Sequence, residues 1–150
     1  KVYIPDVVGP LENSDRLIPT VLSFAQNGIP DFRMTNPNGF GNHLPVLSLA
    51  HCYKDVAEKL VQGTGSHVAP LGQLSTNFEW LKEIVSNLLE PLGVDQKVRQ
   101  VLEEARLLFK ESPITPPSSP WSQNINVDWE SFWANYVEEV SSRGVGTSRN

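Results

Sequence analysis

Cysteine is almost missing: Cys52 stands alone among 150 residues, which excludes an intrachain disulfide framework. No Asn-x-Ser/Thr glycosylation acceptor occurs either, and the two absences together lean toward a reducing, intracellular compartment. No apolar run approaches the roughly 18 to 20 residues that a membrane span requires, and the first residues do not make a signal peptide. Basic charge is scarce and scattered. Lys and Arg number 12 against 17 Asp and Glu, a formal net charge of -5, which argues against non-specific nucleic-acid binding. The Gly39-Phe40-Gly41 stretch lacks the Lys-Ser/Thr of a phosphate loop and no internal repeat is evident. Glu103-Glu104 and Glu138-Glu139 lie at least partly on polar helix faces, so no carboxylate pair sits in an apolar setting suited to acid–base work. A starting methionine is lacking as well, and the expectation from Lys1 is a processed product or a segment of a larger structural or viral protein.

What is present in strength is helical periodicity. Over residues 76–112 two amphipathic segments face each other across a short loop, and the rest of the chain is expected to be arranged around this αα-hairpin. Phe78, Leu81, Ile84, Val85, Leu88 and Leu89 recur at three-and-four spacing on the first. Thr76 and Glu79 stand in the capping-box relation at its start, and Pro91 with Gly93 stops it. Asp95 is the natural cap of the second, whose stripe is Val98, Val101, Leu102, Ala105, Leu108 and Phe109.

Before the hairpin, residues 1–10 read as an extended arm that Pro5 and Pro10 keep from being a central strand. A short helix follows with Leu17, Val21, Leu22 and Phe24, ending near Asn27-Gly28. Residues 29–45 are dense in Pro, Asn and Gly and read as a long loop. The next helix, over about 44–62, is expected to bury Val46, Leu49, Tyr53, Val56 and Leu60, with Ala50 and Ala57 permitting close approach. Its wet side carries His51, Lys54, Asp55 and Glu58, and residues 63–74 read as an irregular connection.

Four prolines between 113 and 120 favour an extended, solvated spacer within a tether over 113–126; the Pro-x-x-P spacings there are ordinary for such a linker. The segment 127–144 is the most informative helix. Asp128 caps it, and Trp129, Phe132, Trp133, Tyr136, Val137 and Val140 fall within an arc of about 140°. Such an aromatic ridge cannot stay bare in water, so it must pack on the helical core or on a partner chain. Residues 145–150 read as a flexible tail.

The fold expected is therefore mostly α: a single small helical bundle of about five helices with the central hairpin, an N-terminal arm and long Pro/Gly/Asn loops. Residues 1–112 form its core, 113–126 the tether and 127–144 the docking helix. The leading function is a non-enzymatic helical module for protein–protein interaction or self-assembly, with Trp129, Phe132, Trp133, Tyr136 and Val140 as binding residues and no metal or cofactor. The alternative is a small enzyme or metal-binding domain using His43, Cys52 and His67 beneath the 29–45 loop. The first reading is preferred because adjacent His51 and Cys52 diverge by about 100° on a helix, and because Cys52 lies mid-helix beside Asp55, a poor setting for a thiolate.

Overall fold

The computed structural model describes residues 1–65, 67–113, 115 and 119–144. Element order is β1 (Asp6–Val8), α1 (Leu17–Asn27), β2 (Phe40–Pro45), α2 (Val46–Val61), β3 (Ala69–Leu71) and β4 (Gln73–Thr76). There follow α3 (Asn77–Ile84), a π-helical turn (Val85–Leu89), α4 (Gln96–Arg106), β5 (Ser122–Asn124) and α5 (Trp129–Gly144). The expected mostly α, all-alpha helical bundle is thereby corrected. The described residues hold five strands in two sheets, a three-stranded sheet in the order β1-β2-β4 and a two-stranded sheet of β3 and β5, so the fold is α+β.

The strands escape a periodicity reading for physical reasons. None exceeds six residues, and β2 reads Phe-Gly-Asn-His-Leu-Pro, a composition that speaks for turns. Its pairing is imposed from outside its own sequence. β1 runs parallel to it with Asp6, Val7 and Val8 opposite His43, Leu44 and Pro45. The Asn42 backbone N–H donates to the Asp6 carboxylate at 3.2 Å. The Asn42 side chain donates to the Pro70 carbonyl at 2.9 Å and accepts from the Gly72 N–H at 2.8 Å, stitching β2 to the chain around β3. A Cβ at Gly72 would collide with the His43 carbonyl, so only glycine lets the backbones approach this closely. β5 pairs parallel with β3, Ala69 to Leu71 opposite Ser122 to Asn124, inside the segment read as a tether. Its strand begins only after the last proline of that segment, Pro120.

The chain divides into two compact units built from alternating segments. The first comprises Lys1–Gly9, Phe40–Ser75 and Pro113–Val127. In it α2 packs on β1 and β2, and Val8, Leu44, Leu49, Cys52, Val56 and Val68 are buried. The second comprises Pro10–Gly39, Thr76–Ser112 and Asp128–Asn150. There α1 and α3 pack on α4, and α5 packs on the π-helical turn. All six apolar positions named on the first hairpin helix are buried, as are Val98, Val101 and Ala105 on α4. Leu108 instead lies exposed beyond the end of α4. The ladder widens after Ile84, with the Glu90 N–H donating to the Val85 carbonyl at 2.9 Å, and the Asn87 side chain donates to the Glu83 carbonyl at 3.0 Å within this stretch. The 28–39 stretch is pinned rather than loose. Asn38 donates to the Leu108 carbonyl and accepts from the Lys110 N–H, while Asn77 donates to the Asn36 carbonyl.

Capping is where local sequence and structure agree closely. Thr76 Oγ1 accepts from the Glu79 N–H at 3.1 Å and the Glu79 carboxylate accepts from the Thr76 N–H at 3.2 Å, a complete capping box. Asp95 occupies the position before α4 but makes no side-chain cap bond, because its carboxylate is taken by Arg99, which also holds Glu90. The tail over 145–150, with Pro116 and Pro117 of the proline-rich segment, lies outside the described residues. In urea titrations Thr76→Ala is expected to lower stability by about 1–2 kcal/mol, and Thr76→Ser by much less, because the serine hydroxyl restores the accepted bond.

Candidate functional site

The aromatic ridge of α5 is the binding surface expected from the sequence. α5 starts where Asp128 accepts from the Ser131 N–H at 3.0 Å and from the Ser131 hydroxyl at 2.7 Å, bonds that hold the Asp128 carboxyl below its ordinary range. From that start Trp133 and Tyr136 turn inward and are buried, while Trp129, Phe132 and Val140 are partly covered. Their counterpart is Trp80, which sequence periodicity passed over because it lies off the Phe78-Leu81-Ile84 stripe. Its ring centroid is 5.6 Å from Trp129 and 5.5 Å from Trp133, and Trp80 is itself 1% exposed. Phe132 adds edge-on contacts to Trp129 at 5.2 Å and to Trp133 at 5.0 Å. The ridge thus meets a partner within its own polypeptide.

The histidine and cysteine candidates are dispersed. His43 is buried in β2, Cys52 is buried on α2, His51 is exposed on the same helix, and His67 is exposed with its ring 5.0 Å from that of Trp121. Among the described residues no group of three His, Cys, Asp or Glu side chains converges on a point where an ion could sit. Burial, and then the Asp55 carboxylate, push the Cys52 thiol up, the reverse of what a nucleophile requires.

Concave sites exist in both units. In the first, a cavity of about 310 Å³ is lined by Tyr3, Pro5, Asn42, Pro70 and Trp121, with Tyr3 and Trp121 stacked at 5.9 Å. Its amide, Asn42, is already committed to Pro70 and Gly72, which leaves few polar groups to orient a small molecule. In the second, a cavity of about 370 Å³ lies over Phe78, Val85 and Leu102, flanked by Lys82, Arg99 and Arg106. Arg99 is engaged by Asp95 and Glu90, and the lining also carries the carboxylate of Glu103.

The feature that packing does not absorb is on α2. The helix buries Leu49, Cys52 and Val56, yet Val46 is 50% exposed, Leu47 72%, Tyr53 45%, Leu60 56% and Val61 90%. Three of the five residues expected to be buried are therefore open, and Cys52 takes the inward place instead. At 100° per residue the open set, with Ala50 and Ala57, sweeps a flank roughly 100° from the centre of the buried one. His51, Lys54, Asp55 and Glu58 are exposed, as expected of the polar side. Among the described residues no helix is long and apolar enough to cross a membrane.

The ridge carries a pH signature. Burial, then the Glu12 carboxylate, raise the Tyr136 phenol far above its ordinary 10.0, with Arg143 opposing weakly. A raised folded-state value means that the protonated phenol's contribution is intact below pH 10 and is lost as pH climbs through the alkaline range. Tyr136→Phe is accordingly expected to show a constant urea-midpoint offset from wild type up to about pH 10, and to gain relative to wild type above it. Compared with known proteins, no protein family matches this chain, nor does any curated protein or solved structure.

Proposed function

We propose that this chain is a non-enzymatic interaction module whose docking surface is the open apolar flank of α2. One observation carries the reading: five large apolar side chains stand in solvent along a single helix, Val46, Leu47, Tyr53, Leu60 and Val61. Scattered exposed hydrophobes are ordinary, but a contiguous line of them is the signature of a surface meant to be covered. The aromatic ridge of α5 is a weaker choice, because Trp133 and Tyr136 are already buried. Chemistry finds little support beside it, since the one thiol is buried and its pKa raised, and no ligand cluster assembles among the described residues.

If the flank serves binding rather than folding, making it polar should cost the fold little. The triple variant Leu47→Gln, Tyr53→Gln, Leu60→Gln is expected to keep its 222 nm helical signal and to unfold in urea within about 1 kcal/mol of wild type at low micromolar protein. Each truncation of a buried side chain would instead cost about 2–5 kcal/mol, so collapse of the triple variant would reject the reading.

A further inference from the structure

We infer that the occupant of the open α2 flank is α2 of a second copy of this chain, packed antiparallel about a two-fold axis beside Tyr53. The inference rests on the reading of that flank as a docking surface, and adds its partner. Val46, Ala50, Tyr53, Ala57 and Leu60 follow a four-three-four-three spacing, a 3.5-residue repeat that draws a straight seam along the helix. The seam also reads alike in both directions. About a centre between Tyr53 and Lys54 it meets alanine, at 50 and at 57, and then a leucine and a valine on either side, Leu47 and Val46 at one end and Leu60 and Val61 at the other. Reversed on its own copy, such a surface sets like residue against like, which suits an isologous two-fold contact.

Reversing one helix on the other about that centre sets Ala50 against the partner's Ala57, Val46 against the partner's Val61, and Leu47 against the partner's Leu60. Alanine at the two closest approaches lets the backbones come near, and antiparallel packing aligns the helix dipoles favourably where parallel packing opposes them. One charge falls within the flank: Lys54 projects between Val61 and Leu47, 3.9 Å from Glu58, and across the axis it meets the partner's Tyr53, a ring over which an ammonium is accommodated.

The exposed parts of the five large side chains amount to roughly 500 Å² per copy, so the contact buries at most about 1,000 Å² in total, the size of a weak, transient interface. Such a dimer forms and dissolves with concentration. A membrane surface fits less well, because Lys54 and Lys59 are matched on the helix by Asp55 and Glu58 and supply no cationic excess.

Sedimentation of the full chain from about 1 to 300 µM is expected to pass from monomer to dimer, with Ala50→Glu raising the apparent dissociation constant roughly 100-fold, since each substitution acts twice across the axis. Equal mixing of Val46→Cys and Val61→Cys chains under mild oxidation is expected to give chiefly the mixed disulfide, with wild type, whose only thiol is the buried Cys52, uncrosslinked. Monomer at every concentration, association untouched by Ala50→Glu, predominance of Val46→Cys self-links, or binding to anionic phosphatidylserine vesicles without self-association would each overturn the proposal. Monomeric behaviour with a triple-glutamine variant that still folds would remove the partner and leave the docking flank standing.

Discussion

A helix that carries apolar residues on two flanks can hide only one of them against a single small sheet. That constraint governs α2. Leu49, Cys52 and Val56 recur at three-and-four spacing and take the inward position over β1 and β2, where Val8 and Leu44 are also buried. Rotating the helix by about 70° to bury Val46, Tyr53 and Leu60 instead would turn Cys52 outward and would drive the Tyr53 ring into a sheet of three short strands. The smaller set fits the smaller space. The larger set is left outside with the two alanines.

The second unit meets the opposite situation, a large apolar ridge with a receptacle large enough for it. α5 brings three aromatic rings to Trp80, and edge and tilted contacts at 5.0 to 5.6 Å knit them into one cluster. A cluster of this kind offers aromatic pair energies of about 0.5–1.5 kcal/mol each beyond the area it buries, enough to hold a terminal helix on a core without a short covalent loop.

Helices were legible where propensity, spacing and caps agreed, and the reasons are local. Thr76 with Glu79 marks the start of α3 in four residues, Gly28 ends α1 with φ 76°, and Asp128 opens α5 through bonds to Ser131 only three residues away. Strands were illegible because their determinants are distant. β2 forms since Asp6, 36 positions earlier, and Pro70 and Gly72, about 30 later, receive Asn42, and nothing inside Phe40 to Pro45 announces it. The candidate surface was half legible for a related reason. A 3.5-residue seam through Val46, Tyr53 and Leu60 is visible in the sequence, but apolar spacing says only that a face seeks cover, and the choice between two such faces is made by the volume available beneath the helix.

That choice also bears on chemistry. Cys52 belongs to the set that won the inward position, so the same packing that opens Tyr53 and Leu60 to solvent encloses the thiol beside Asp55 and raises its pKa. A reactive thiolate and a free apolar seam would demand opposite rotations of one helix. With Leu49, Cys52 and Val56 inside, the thiol stays enclosed, and in the contact proposed for the open flank the alanines at 50 and 57 are the gaps through which another backbone would approach.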